Sequence, residues 1–287
     1  MSAATAAPRV GSARRRRPGV GTVYVWELRK LRAQKRTYLG LGAAMIVPLI
    51  FIVALLTGGG GPDDVPFGRY VRETGLAIPL VGLIFSSIWL FPLITSLVAG
   101  DIIAAEDNNG TLKTILTRST ERWQIFAGKV LAALSYAFVA LVLFVGVGLV
   151  VGGLLWGFDP LTTLSGTKVS AGRGMALIAG ASLAYFIPMM AIAAIAILLS
   201  TVTHNSAAAV VGTLIFSFVM QLLGVIKALD FLQPYLLTTQ FDAWQGLLRE
   251  PADWAPIARA AWVSALYAVP ALGWAFVAFL RRDVAGG

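Results

Sequence analysis

The chain alternates between long apolar segments and short polar ones. The apolar segments are Tyr38 to Leu56, Leu76 to Ala104, Ile125 to Trp156, Ala176 to Ser200, Ala207 to Ile226 and Ala258 to Leu280. Several exceed the roughly 20 residues that a helix needs to cross a hydrocarbon core about 30 Å thick. The pattern predicts an all-α integral membrane protein with six transmembrane helices, of which the third is long enough to break or tilt.

Three segments outside the spans have a character of their own. Residues 1–21 are small, polar and basic, which predicts a disordered tail ahead of a single transmembrane domain at 22–287. Thr22 to Arg36 mixes aromatic and aliphatic side chains with cations, which predicts an amphipathic interfacial helix; the alternative is an ordinary basic flank. Residues 228–257 are apolar at helical spacing and predict a hairpin of short helices in the outer interface, or else a seventh, broken span.

Composition and charge support a lipid environment and give an orientation. Hydrophobic residues make up 57% of the chain and charged residues 13%, against about 45–50% and about 25% in soluble domains. Ten Lys and Arg residues precede the first span, four lie between the second and third if Lys129 at the start of the third is included, and two follow the last, so 16 of the 23 lie on one side. By the positive-inside rule both termini are cytoplasmic, and we expect a multi-pass protein of the plasma membrane. The net charge of +9 therefore follows topology, and no nucleic-acid partner is expected.

Catalytic motifs are absent from the sequence. It contains no cysteine, and the single histidine, His204, lies in a short turn between the fourth and fifth spans, where a capping or turn role is expected. No GxSxG element occurs, and Gly128–Lys129 is followed by Val130 where a Walker A motif needs Ser or Thr. We therefore expect no metal site, no bound cofactor and no enzymatic activity in this chain. Carboxylates at mid-membrane depth are also missing, which disfavours an ion-coupled transporter.

The loop at 105–124, between the second and third spans, is unlike the others. Asn109 and Gly110 predict a turn, and Leu112, Ile115 and Leu116 then fall on one side of a short helix. A compact helix between two spans can transmit force to both. The alternative is a solvated basic turn that only obeys the positive-inside rule.

This loop resembles the corresponding loop of the permease subunits of ABC-2 type transporters. The matching residues are Glu106, Gly110, Thr111, Leu112, Lys113, Thr114, Leu116, Arg118, Arg122, Gly128 and Lys129. The six-span layout, the N-terminal helix and the apolar outer hairpin extend the resemblance over nearly the whole chain. The sequence has Ser119 and Thr120 where family members commonly have Pro after the helix.

The resemblance implies an ABC-2 (type V exporter-like) permease fold and an export function. In that family a permease pairs with a second permease, identical or homologous, and with two copies of a cytoplasmic ABC ATP-binding subunit that holds ATP and Mg. The coupling element would be formed by Glu106, Gly110, Thr111, Leu112, Lys113, Thr114 and Arg118, and the interfacial helix would include Trp26, Glu27 and Lys30.

The cargo expected from the apolar interior is hydrophobic or amphipathic. A bilayer-facing route between the second and fifth spans would include Ser86, Ser87, Thr95 and Gln221. A second hypothesis is a non-transporting anchor or sensor that recruits a cytoplasmic ATPase. A membrane-embedded enzyme is the third and least favoured hypothesis, because no cluster of polar residues occurs at one depth.

Overall fold

The computed structural model describes residues 19–58, 61–62, 64–108, 110 and 121–281. Within these ranges the chain is mostly helical. The α-helices are α1 (Val20–Arg32), α2 (Lys35–Thr57), α3 (Ala77–Ser86), α4 (Leu90–Ala99), α5 (Ala104–Asn108), α6 (Arg122–Trp156), α7 (Ala171–Thr203), α8 (Ser206–Val225) and α9 (Ala255–Leu280). The 3-10 helices are Gly68–Tyr70, Lys227–Tyr235 and Thr238–Leu248, and two short antiparallel strands, β1 (Leu161–Thr162) and β2 (Lys168–Val169), form a hairpin.

Five single helices, α2, α6, α7, α8 and α9, are long and apolar enough to cross a membrane. The pair α3 and α4 gives a sixth candidate span, but the two helices meet at an angle of 66°. The straight second span predicted from the sequence is thus interrupted, and the bent pair is either a broken span or a re-entrant loop. The backbone of Trp89 leaves the helical region, and Pro92 falls in the first turn of α4, where its missing N–H removes no helical hydrogen bond.

Helix α6, the predicted third span, is continuous. Its 35 residues correspond to a length of roughly 52 Å at 1.5 Å per residue. Since the hydrocarbon core is about 30 Å thick, a helix of this length must tilt or extend beyond it.

Helix α7 forms the centre of the bundle and is the most deeply buried of the long helices. Its Tyr185 is fully buried, donates a hydrogen bond to the carbonyl of Leu83 (3.1 Å) and contacts the rings of Phe91 and Phe241 edge-on. Phe91 in turn contacts Phe144 of α6, with ring centroids 5.3 Å apart. This aromatic cluster joins the bent pair, the two longest helices and the 3-10 helix Thr238–Leu248 into one core.

The segment at 228–257, predicted as an outer hairpin, does form short helices, but its apolar side chains are placed differently from the prediction. Leu237, Phe241, Trp244 and Leu248 are almost fully buried, and the 3-10 helix Thr238–Leu248 packs on α7 and α9. The expectation that these side chains enter the lipid interface is therefore wrong for this half of the hairpin. Burial against protein satisfies their hydrophobicity instead.

The two ends of the bundle are distinct. We define the α1 face as the end that carries α1, α5 and the start of α6. The hairpin face is the opposite end, with β1, β2 and the 3-10 helix Thr238–Leu248. On the α1 face a short break at Ala33 and Gln34 separates α1 from α2, so the predicted N-terminal helix is a separate element rather than an extension of the first span.

Candidate functional site

Three buried charged side chains meet a fourth, partly exposed one at the α1 face, where the side chain of Lys30 is 39% exposed. We name Glu27, Lys30, Glu106 and Lys129 the ion cluster. Lys129 Nζ lies 2.9 Å from Glu27 Oε1 and 2.7 Å from Glu106 Oε1, and it also donates to the carbonyl of Ile102 at 3.1 Å. Lys30 pairs with the same Glu106 oxygen and lies 3.9 Å from Glu27 Oε2. The cluster therefore connects α1, α5 and α6.

Burial makes this arrangement energetically significant. Lys129 and Glu106 are each only 1% exposed. An ammonium group has three N–H donors, and Lys129 uses them on two carboxylates and one backbone carbonyl. Two cations face two anions, so the charges compensate within the cluster. Losing one partner would leave a buried charge uncompensated, which is much more costly than losing a surface ion pair.

The ionisation of Glu106 follows from the same contacts. Burial by itself raises the pKa of this carboxyl, but the nearby charges of Lys129 and Lys30 and their hydrogen bonds outweigh burial. The net result is a pKa below the ordinary value of 4.5. Glu106 is therefore an anion at neutral pH, as the geometry around the two ammonium groups requires.

Neighbouring contacts fix the position of α5 from other sides. The hydroxyl of Ser200, near the end of α7, accepts hydrogen bonds from the backbone N–H groups of Ile103 and Ala104 (3.3 and 3.0 Å). Asp107 pairs with His204, which ends α7 with a left-handed backbone (φ 55°). The capping role predicted for His204 is confirmed, and the residue additionally links the α7–α8 turn to α5.

Helix α2 joins the same region through Arg36, which pairs with Asp101 just before α5. Asp101 is 4% exposed. Helices α1, α2, α6 and α7 thus all contact the short segment that leads into the loop at 105–124.

Close packing of α1 on α6 places the ion cluster. A Cβ atom on Gly128 would lie 2.6 Å from Val23 Cγ1 and 3.1 Å from the backbone nitrogen of Tyr24, so only glycine lets the two helices approach this closely. About two turns further along α6, Ser135 Oγ lies 2.8 Å from the hydroxyl of Tyr24. Helix α1 presents Val23, Glu27 and Leu31 to this contact at a spacing of four residues.

The structure places the predicted coupling residues only in part. Glu106 belongs to the ion cluster. Gly110 has a left-handed backbone (φ 66°) and donates its N–H to the carbonyl of Asp107 (3.0 Å), which confirms the predicted turn at this residue. Thr111, Leu112, Lys113, Thr114 and Arg118 lie outside the described residues.

The predicted interfacial-helix residues divide between two sides of α1. Glu27 and Lys30 face the ion cluster, whereas Trp26 is 44% exposed on another side, near the exposed Val25. Sequence reasoning identified Glu27, Glu106 and Lys129 separately but did not connect them. A signal was present: a lysine in the first turns of an apolar helix requires a buried anion, and Glu27 is the single carboxylate in a strongly basic helix.

The residues proposed for a cargo route lie around the break between α3 and α4. Ser86 and Thr95 are buried, and Ser87 donates a hydrogen bond to the carbonyl of Ile84 (2.7 Å). Gln221 is half-buried on α8, which contacts α4. Trp89 at the break contacts Phe218 of α8, with ring centroids 5.2 Å apart, so the second and fifth spans do meet.

These helices define a multi-pass membrane protein of the all-α class, with five or six spans by length and composition. The sequence profile of the family described as "Protein of unknown function (DUF2705)" matches residues 41–285. The chain therefore belongs to the DUF2705 family. None of the curated proteins matches the chain.

Proposed function

We propose that this chain is the membrane-spanning permease subunit of an ATP-binding cassette exporter. It would act with a second permease, identical or homologous, and with two copies of a cytoplasmic ATP-binding subunit that supplies ATP and Mg. The proposal draws on the resemblance of the loop at 105–124 to ABC-2 permeases and on the spanning helices around it.

The observation that supports this proposal best is the position of Glu106. This residue begins the motif that resembles a coupling element, and it is also the carboxylate to which Lys30 of α1 and Lys129 of α6 are paired. A displacement of the loop would reach both helices through buried charge-assisted contacts, which are short and directional. A solvated basic turn would need no such attachment.

The mechanism that we propose has two conformational states. ATP binding closes the two ATP-binding subunits, the loop moves with them, and the permease pair changes between packings that open to opposite sides of the membrane. A hydrophobic or amphipathic compound is exported, and the residues near the break of α3 and α4, with Gln221 of α8, form part of its route. The α1 face is cytoplasmic in this scheme.

The test is a reconstitution of the complex isolated from native membranes with a tag on this chain. Proteoliposomes loaded with ATP-regenerating components are assayed for ATP hydrolysis and for ATP-dependent ethidium transport. Gly110→Val distorts the turn at the base of the loop because valine rarely adopts φ 66°. We expect hydrolysis to persist and transport to fall by about tenfold or more.

Gly166→Val is the matched control. Gly166 also has a left-handed backbone (φ 81°) and open space around it, but it lies in the turn between β1 and β2 on the hairpin face. The control should transport as the unsubstituted protein does. Equal transport by the Gly110→Val variant would contradict the coupling role, and ATP hydrolysis without any transport by the unsubstituted complex would favour the anchor or sensor hypothesis.

A further inference from the structure

A groove opens on the hairpin face between the first half of α7, the 3-10 helix Thr238–Leu248 and the start of α9. It encloses a cavity of about 510 Å³. Its walls are apolar and include Leu177, Gly180, Leu183, Leu247 and Ile257. Among the described residues that line it, Arg173 alone is ionisable, so the groove is charged at one end and apolar along its length.

Arg173 is held in place at the mouth of the groove. One guanidinium nitrogen, Nη2, lies 3.1 Å from Glu250 Oε1. The other oxygen of Glu250 accepts a hydrogen bond from the hydroxyl of Thr167 (2.7 Å), and the backbone N–H of Glu250 donates to Ser165 Oγ (2.9 Å). Glu250 is thereby fixed against the β1–β2 turn and orients Arg173. The guanidinium carries five N–H donors and remains 65% exposed on its side chain, so it can bind an anion as well.

The dimensions of the groove match one leaflet of a bilayer. Arg173 is the third residue of α7, and Ile187, at the far end of the cavity, lies fourteen residues further, which corresponds to roughly 21 Å along the helix. Half of a hydrocarbon core is about 15 Å, and the remainder suits a head-group region. Trp254 at the mouth is 64% exposed and is of the type enriched at membrane interfaces.

A second apolar cavity, of about 260 Å³, lies between α6, α7 and α9 and shares Ile187 with the first. Ile187 thus lines both cavities, and none of the described residues that line the second one is charged.

We propose that the groove between α7 and α9 binds one phospholipid molecule. Its phosphate contacts Arg173, since guanidinium and phosphate form charge-assisted, often bidentate hydrogen bonds. One acyl chain lies along α7 toward Ile187, in contact with Gly180 and Leu183. Glu250 is the positioning residue for Arg173. This site is independent of the transport hypothesis, because an anchor or sensor would carry it equally.

The test measures lipid binding to the full chain, delipidated in detergent, by native mass spectrometry. Phosphatidylglycerol is compared with a diacylglycerol that has the same acyl chains and no phosphate. We expect one tightly bound phosphatidylglycerol, with an affinity about tenfold above that of the diacylglycerol. Arg173→Gln should abolish this difference while thermal unfolding stays close to that of the unsubstituted protein, since the side chain is mostly exposed.

A second pair of variants tests the acyl-chain part of the site. At Gly180 an added Cβ would meet only Leu247 Cδ1, at 3.3 Å, so the side chain of Gly180→Leu would occupy the groove and weaken binding of both lipids. Gly42→Leu, on α2, is the control, because a Cβ there has no neighbour within 4 Å and lies outside the groove. Unchanged phosphatidylglycerol binding in either Arg173→Gln or Gly180→Leu would overturn the proposal.

Discussion

Lys129 shows how much a single side chain depends on its surroundings in this protein. An isolated ammonium group in an apolar environment is strongly disfavoured, yet Lys129 is only 1% exposed. It is tolerated because Glu27, Glu106 and a backbone carbonyl together accept its three hydrogen bonds. The stability of this region should therefore depend on the complete cluster rather than on any one pair.

Replacing Lys129 by methionine should destabilise the fold markedly. Methionine keeps most of the volume, but two buried carboxylates would then share Lys30 alone, and breaking a buried ion pair costs about 3–5 kcal/mol. The measurement is thermal unfolding in detergent. Lys227→Met serves as the control because Lys227 is exposed at the start of the 3-10 helix Lys227–Tyr235, and this variant should melt as the unsubstituted protein does.

The double variant Glu27→Gln with Lys129→Met tests whether the two residues act together. Each single change removes one charge of the pair and leaves the other buried without its partner, whereas the double change removes one negative and one positive charge together. We expect the double variant to lose less free energy of unfolding than the two single variants lose together. The difference should be at least about 1 kcal/mol. Strict additivity would show that Glu27 and Lys129 are not energetically coupled.

The lowered pKa of Glu106 predicts a pH dependence of stability. Because its pKa in the folded protein lies below the ordinary value of 4.5, the carboxylate stabilises the fold fully above about pH 4.5. That contribution is lost as the pH falls below this value through the lowered pKa. The measurement is thermal unfolding between pH 7 and pH 3. The difference in unfolding temperature between the unsubstituted protein and the Glu106→Gln variant should shrink only at the acidic end of this range. A constant difference would contradict this assignment.

Some residues of the ion cluster could be predicted from the sequence, but their pairing could not. Glu106 and Lys129 were both found through a linear motif, and the turn at Gly110 through its residue type. The pairing of Glu27 with Lys129 spans 102 positions, and such pairings depend on which helices pack together. Linear spacing contains no information about that.

At the scale of elements, hydrophobic pattern predicted the long helices well because a span needs a continuous apolar run. It failed at the break between α3 and α4, since the segment as a whole is as long and apolar as a straight span. Pro92 was visible in the sequence, but a proline inside a membrane helix is compatible with a kink as well as with a new helix start. The burial of Trp244 and Phe241 inside the protein was not predicted. The pattern of hydrophobic positions shows that these side chains need an apolar environment, but not whether lipid or protein provides it.

The contact between α1 and α6 yields a prediction at this scale. Gly128→Ala places a methyl group 2.6 Å from Val23 Cγ1, which forces the two helices apart and should cost about 1–3 kcal/mol. The control is Gly146→Ala on the same helix, where an added Cβ has no neighbour within 4 Å. If both variants unfold at the same temperature, the close approach is not important for stability.

At the scale of the molecule, the ion cluster should make α1 and α5 open together. Hydrogen exchange monitored by mass spectrometry should show faster exchange in both Val20–Arg32 and Ala104–Asn108 after Glu106→Gln, with α9 unaffected. Asp101→Asn is the comparison, because Asp101 pairs with Arg36 of α2 and not with α1. Faster exchange in α5 alone after Glu106→Gln would show that the two elements open independently.

The uninterrupted length of α6 has a geometric consequence. Lys129 and Gly153 are separated by 24 positions of a helix that contains no proline, or roughly 36 Å. If that rod pivots by 10° about Lys129, its far end swings by roughly 6 Å, by the same helical rise. Such a swing would break or drag along the contact next to it, in which the N–H of Gly75 donates to the carbonyl of Gly157. A small tilt at one membrane surface would thus be felt at the other with no intermediate relay.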